Sequence, residues 1–402
     1  MRVSTTQIYT QGAESILRAQ SELFANQQRI AAGRRVLAPA DDPAASAEAV
    51  VVGQAKARVE RFGASIASAN DSLRHADSVL GEFSDTLIDI RTLAVNGGAG
   101  TLSDADRTSI AVVLEQRLQQ LVGLANSRGA DGGYLLSGYA SGTQPFARVG
   151  GSYIYQGDQG VRSLAVADGR EIETSVAGDA LFTAVRTGNG TFAATAGAAN
   201  GGSGIIDGGS VTDPALLDGH TYRLQFSVAA GVTTYAVVDV TTSTTVSSGN
   251  PSVPGASVAI AGMQVTVTGS PASGDEFTLA PSPRQSVFDT VQSLIAALRG
   301  PSATPADRTA LANGISVALQ NLSQAQEAVL TARAGLGARM RELESLESGN
   351  EARAPHYEET LSRLQDLDYS KALSDFARQQ LALEAAQKSF LQVSGLSLFN
   401  FL

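Results

Sequence analysis

The two ends of this 402-residue chain carry the same apolar repeat of seven. Near the start it runs Tyr9, Ile16, Leu23, Ile30, and near the end Tyr369, Phe376, Leu383, Phe390. Each stretch has a second row four residues on: Ala13, Gln20, Gln27 in one and Leu373, Gln380, Gln387 in the other. A seven-residue period puts these side chains on one face of a helix, where a matching face can pair with them. Any fold of the chain is therefore expected to bring its ends together in one helical rod. A buried glutamine has donors and acceptors that need partners once water is excluded. Such a seam is expected to be weak as an isolated pair and specific once neighbours complete its hydrogen bonds. A plain two-helix coiled coil with a polar register lock is the simpler alternative.

Inside the ends lie longer amphipathic patterns. From Pro43 to Asn96 the steps alternate four and three without a slip: Phe62, Ile66, Ala69, Leu73, Ala76, Leu80, Phe83, Leu87, Ile90, Ala94. That predicts one helix of roughly 80 Å, with Asp42 and Pro43 as its start and Asn96-Gly97-Gly98 as its stop. A second helix is expected after Ser103, carrying Ile110, Leu114, Leu118, Leu121 and Ala125. Late in the chain Val287, Val291, Leu294 and Leu298 mark a short helix. Leu311, Ile315, Ala318, Leu322, Ala325, Val329, Ala332 and Leu336 then open another long one that continues through Leu343 and Leu346. The two long helices are expected to pack antiparallel.

Between them charges thin out and glycine, threonine, serine and valine dominate. Alternating runs at Tyr222–Val228, Tyr235–Val240 and Met263–Thr268 predict antiparallel strands. The stretch Thr187–Ser210, rich in Gly and Ala, is expected to be a loose loop. The fold class expected is thus α+β and multidomain: a long antiparallel helical bundle from both ends, an inserted antiparallel β domain, and terminal coiled-coil helices. The expected parts are 1–38 and 355–402 for the inner coiled coil, 39–137 and 285–354 for the long-helix domain, and 138–284 for the insert.

Chemistry is hard to place on this chain. His75, His220 and His356 lie in separate segments without metal-ligand spacing, and cysteine is absent, which removes thiolate sites. No lysine follows a glycine, so there is no P-loop. Asp41-Asp42 resembles a catalytic carboxylate pair, but the following Pro43 favours a helix cap. No catalytic, cofactor or metal residue is nominated, and the chain is not expected to be an enzyme. A net charge of −10 with three lysines (Lys56, Lys371, Lys388) argues against a nucleic-acid partner. No run of apolar residues is long enough to span a membrane, and the N-terminus lacks the pattern of a Sec signal.

Ordered local motifs resemble the flagellin superfamily, and within it the proteins that join hook to filament. They are Val3-Ser-Thr-Thr-Gln7, Gln28-Arg-Ile-Ala-Ala-Gly33, Pro39-Ala-Asp-Asp-Pro43, Tyr134-Leu-Leu-Ser-Gly-Tyr139 with Pro145-Phe146, Tyr155-Gln-Gly-Asp158, Leu361–Tyr369 and Leu396–Leu402. Asp213–Gly219 followed by Tyr222-Arg-Leu resembles a β module of the same superfamily. The resemblance implies a mechanical adaptor in the bacterial flagellum. Its partners would be the first hook-associated protein, flagellin and identical subunits in a ring. The terminal helices would be poorly ordered in the monomer and would form the inner tube on assembly. An export chaperone would mask Phe376, Leu383 and Phe390 on the C-terminal helix. Export would use the flagellar type III apparatus, leaving the protein extracellular. The seven-residue rows named above are the expected assembly seam. Alternatives are a flagellin-type filament subunit and a surface fibre with a carbohydrate-binding β module.

Overall fold

The structure, a computed structural model, describes residues 5–250, 255 and 257–395. The closing Leu396–Leu402 motif and the first residues of the Val3–Gln7 motif lie outside the described residues. Among the described residues six α-helices are present: α1 (Thr5–Ala32), α2 (Pro43–Gly97), α3 (Asp104–Ala125), α4 (Val287–Arg299), α5 (Pro305–Gln365) and α6 (Tyr369–Gly395). Local chemistry sets where they begin. Ser103 and Asp106 form a reciprocal capping box on α3. Ser286 accepts from the Phe288 amide at α4 (3.2 Å), and Thr304 from the Asp307 amide at α5 (3.1 Å). Each bond satisfies an amide that a helix start leaves without an intrahelical partner. Helix α5 runs on through Pro355 to Gln365, ten residues past that proline.

By backbone contacts the chain divides into two compact units, Met1–Ser65 with Ser345–Leu402 and Ile66–Glu344. In the larger unit the stripes read from sequence become core. Ile66, Leu73, Leu80, Phe83, Leu87 and Ile90 of α2 are buried, as are Leu114 and Leu121 of α3, Val291 and Leu294 of α4, and Leu322, Val329 and Leu336 of α5. Here α2 and α5 run antiparallel. Arg333 Nε donates to Asp77 Oδ1 at 2.9 Å, while Gly98, just past the C-terminal end of α2, lies beside Ile315, earlier on α5.

The insert is antiparallel at every described strand pair. A five-stranded sheet has the order Thr244–Gly249, Val232–Asp239, Tyr222–Ala229, Glu276–Pro281, Phe192–Ala196. A second sheet contains Ser257–Ile260, Met263–Thr268 and Ile205–Ile206, with Ser210–Val211 beside it. Alternate residues of both sheets share one core that includes Phe192, Leu224, Val237, Val265 and Phe277. The pair Val185–Arg186 with Arg284–Gln285 closes the base.

Residues 187–210 are not the loose loop that their composition predicts. Phe192, Ala194 and Ile206 are core residues on strands. Helix α5 supplies the missing order: Asn321 Oδ1 accepts from the Gly188 amide (2.8 Å), and Asn313 bonds both the Ile206 amide (3.1 Å) and the Gly204 carbonyl (3.1 Å). The small residues let the backbone come close enough for these amides to reach it.

Candidate assembly interface

Helices α1 and α6 pack side by side and antiparallel. At one end the Tyr9 and Phe390 rings meet edge-to-face, with centroids 5.9 Å apart and planes at 88°. Gly12 makes room for that ring, since a Cβ there would lie 2.8 Å from Phe390 Cδ2. At the other end Asn26 Nδ2 donates to Gln379 Oε1 (3.1 Å) and the Ala372 carbonyl (3.3 Å). Among the described residues of the two helices, only Asn26 and Ala372 are buried.

The expected seam divides between two faces in the single chain. Tyr9, Ile16, Leu23 and Ile30 are half-buried, as are Phe376, Leu383 and Phe390. Tyr369 and Leu373 are exposed. Ala13, Gln20, Gln27, Gln380 and Gln387 are exposed too. The row that closes the pair lies three residues on, at Gly12, Ala19 and Asn26: Gly12 lies against Phe390, Asn26 bonds Ala372 and Gln379, and Ala19 between them is half-buried. The reason is geometric: one partner helix covers the rows three and four apart, and the flanking row stays open. The sequence reading passed over Asn26 and Gly12. Their signal was the small or polar residue repeating at 12, 19, 26 and 33. Beside the open row of α1 stand Leu17 at 64% exposure and Phe24 at 60%, so residues 13, 17, 20, 24 and 27 form one outward stripe. On α6, Leu381 and Leu391 are 69% and 68% exposed.

Where α1 ends and α6 begins, a short clasp joins the chain ends. Arg34 and Asp366 form an antiparallel bridge, the Arg35 amide donates to Gln365 O (2.8 Å), and the Leu367 amide donates to Gly33 O (3.1 Å). Gly33 has φ +67°, and a Cβ there would sit 2.9 Å from the Tyr369 hydroxyl. Asp42 caps α2 through the Ala45 amide (3.0 Å) and accepts from Arg35 (3.0 Å). Asp41 accepts from the Leu37 and Ala38 amides, both at 3.0 Å. These amides, with Arg29 and Arg35 behind them, hold both carboxyls below the ordinary carboxylate range. The pair is a structural knot, and the helix-cap reading holds for Asp42.

In the larger unit the Tyr134–Tyr139 and Tyr155–Asp158 motifs form one lock. Asp158 Oδ1 accepts from the Tyr139 amide (2.8 Å), and the Tyr155 hydroxyl reaches Leu136 O (2.9 Å) and Asp158 O (2.7 Å). Burial pushes the Tyr155 hydroxyl up to about 12, with the charges of Asp158 and Asp179 adding to it. Gly138, at φ +72°, has no room for a side chain beside Asp158. Phe146 is buried against Tyr155, Phe182 and Phe288. The motif hands the helices over to the strands. Among the described residues no cluster of three or more His, Cys, Asp or Glu is placed to hold a metal, and no helix is long and apolar enough to cross a membrane. His75 is exposed, with Nε2 2.9 Å from Arg128 O.

A family model of the bacterial flagellin N-terminal helical region matches residues 3–141, which include the first three motifs and Tyr134–Tyr139. The solved structure of Xanthomonas campestris FlgL is 31% identical and superposes with a TM-score of 0.71, covering 77% of this chain and 99% of that one. This chain belongs to the FlgL family. Flagellar hook-associated protein 3 of Escherichia coli strain K12 is 27% identical over 401 residues, 100% of this chain and 99% of its own length. The flagellar junction protein FlgL of Legionella pneumophila is 28% identical with a TM-score of 0.72, covering 79% of this chain and 100% of that structure. Membership of the FlgL family displaces the flagellin-type and adhesive-fibre alternatives. It makes the α1–α6 surface the first place to look for function.

Proposed function

We propose that this FlgL-family chain is a structural adaptor of the bacterial flagellum. Identical copies form a ring at the hook–filament junction, between the first hook-associated protein and flagellin. The observation that carries this reading is the outward stripe of α1, where Leu17 and Phe24 stand in water between Ala13, Gln20 and Gln27. Two large apolar side chains one heptad apart on a single exposed helix face present a seam that a further helix can cover. A two-helix pair has no third element of its own to cover them. Neighbouring copies supply apolar cover for the leucine and phenylalanine, and hydrogen-bond partners for the glutamines. The expected seam at Tyr9, Ile16, Gln20, Leu23, Gln27, Ile30, Tyr369, Leu373, Phe376, Gln380, Leu383, Gln387 and Phe390 then has two tasks: its first row joins the chain to itself and its second row joins chain to chain. A head-to-tail contact that closes gives a ring, and an adaptor ring offers a different partner on each of its two faces.

Export and location follow from the same reading. The chain passes through the flagellar type III apparatus unfolded, with a chaperone on α6, and works outside the cell. The Phe376, Leu383 and Phe390 face serves both the chaperone and α1, so chaperone binding and α1–α6 pairing exclude each other. The test is Phe24→Asp in the full-length protein. It should abolish filaments and release flagellin into the medium, while the isolated protein unfolds at the wild-type denaturant concentration. Filaments of normal length on such cells would overturn the proposal.

A further inference from the structure

We propose that Asn313 and Asn321 of α5 are positioning residues that fix the direction of the two-sheet β core on the helices, so that residues 187–283 are carried rigidly and do not swing on their neck. Those residues are one continuous stretch, so the chain enters and leaves them only at the pair Val185–Arg186 with Arg284–Gln285. The Thr187 amide adds one bond to Pro283 O (3.0 Å). Two strands of two residues are too short to be stiff, and modules joined by so small a contact move relative to one another by default. Such a neck sets a point and leaves the direction open.

Helix α5 supplies two further points of attachment. Beside the neck, Asn321 Oδ1 accepts from the Gly188 amide (2.8 Å), and its Nδ2 donates to Gln285 Oε1 (3.4 Å). Eight residues earlier, about 12 Å along the helix, Asn313 Oδ1 accepts from the Ile206 amide and its Nδ2 donates to Gly204 O, both at 3.1 Å. Both asparagines are buried, so losing these bonds would leave polar groups without water or partner. A body held at its neck and again a dozen ångströms away has no free axis to turn about. Between the two asparagines and just beyond, Gln320 and Gln324 lie against glycines. A Cβ on Gly208 would sit 2.7 Å from Gln320 Cδ, and one on Gly190 would sit 2.9 Å from Gln324 Oε1. Gln320 serves as filler: its amide nitrogen donates to Ser316 of its own helix (3.3 Å), and among the described residues nothing donates to its buried Oε1. Neighbouring amides on one helix therefore separate tying from packing. The inference concerns a single chain and rests neither on the junction role nor on α1 and α6.

The chain has no cysteine, so a pair of spin labels can be placed without background. Gln116→Cys on α3 and Thr245→Cys on the strand Thr244–Gly249 are exposed positions whose separation, read by double electron–electron resonance on the full chain, reports the direction of the β core. The labelled parent should give one narrow distance distribution. Asn313→Leu should broaden it about twofold, and Asn313→Leu combined with Asn321→Leu should broaden it further. Gln320→Met should keep the parent width. Hydrogen exchange checks that the core itself survives: in Asn313→Leu the Ile206 amide should exchange about tenfold faster, with the Leu224 and Val237 amides unchanged. A broad distribution in the parent, the parent width in the double variant, or equal broadening by Gln320→Met would overturn the proposal. So would lost protection at Leu224 and Val237, which would make the asparagines holders of the fold of the β core and not of its direction.

Discussion

Helix α1 and the stretch of α2 beyond Ile66 share the same grammar, apolar residues stepping by three and four, yet they end in opposite environments. In α2 Ile66, Leu73, Leu80 and Phe83 are sealed from water, and this stretch is flanked by α5 at Asp77–Arg333, by α3 at Asp89–Arg117 and by α4 where Leu298 lies beside Gly97. In α1 the stripe meets one partner, and Ile16, Leu23 and Ile30 are only half-covered. A helix can bury a full apolar face only when more than one neighbour contributes surface. The difference therefore lies in the number of neighbours, which a pattern on one helix does not encode. It also separates roles: the sealed region sustains itself, while the half-covered one has surface to offer to another molecule.

The largest expected effect tests the sealed side. Phe83 is fully buried and stacks on Phe182 with centroids 4.2 Å apart. Phe83→Ala should cost about 3–5 kcal/mol of unfolding free energy in urea titration, through lost burial and a cavity. A loss under about 1 kcal/mol would remove the contrast between the regions. A smaller effect tests the open side. Phe390→Ala takes away a half-buried ring and its contact with Tyr9, and should cost about 1 kcal/mol or less. It should accelerate exchange in α1 and α6 alone. A cooperative loss across the whole chain would show that the terminal pair is as integral as the core.

The smallest effect sharpens the comparison by pH. Asp41 and Asp42 have lowered pKa values, so their contribution is present above the ordinary carboxylate range and fades as pH falls through the lowered values. His220 in the insert lies 2.8 Å from Asp239 and 3.6 Å from Asp218; its hydrogen bond to Asp239 is the main cause of a raised pKa. Its contribution is present below the ordinary histidine value and is lost as pH rises through the raised one. Amide titration by NMR should thus show the Ala45 region loosening in acid and the His220 region loosening in base. Parallel drift of both would contradict these local charges.

Much of the architecture was legible in the chain. The α2 stop at Asn96-Gly97-Gly98 and the α3 start at Ser103 follow from caps and periodicity, and the structure ends and begins these helices within a residue of them. Residues 187–210 were misread because glycine and alanine carry weak local preference. Their order comes from Asn313 and Asn321 on α5, more than a hundred positions away. In the terminal pair the apolar row was visible, but the choice of second row was not. Rows three and four residues on are equally periodic, and only the placement of α6 decides that Gly12, Ala19 and Asn26 turn inward while Gln20 and Gln27 turn out.

By itself the sequence determined the helices, the starts at Asp42 and Ser103, the strands with clean alternation and the matching of the two ends, because each rests on short-range periodicity and turn chemistry. The tertiary structure alone decided which faces are sealed and which are left open. Burial belongs to pairs of surfaces, and the partner surface of every helix here comes from a distant part of the chain.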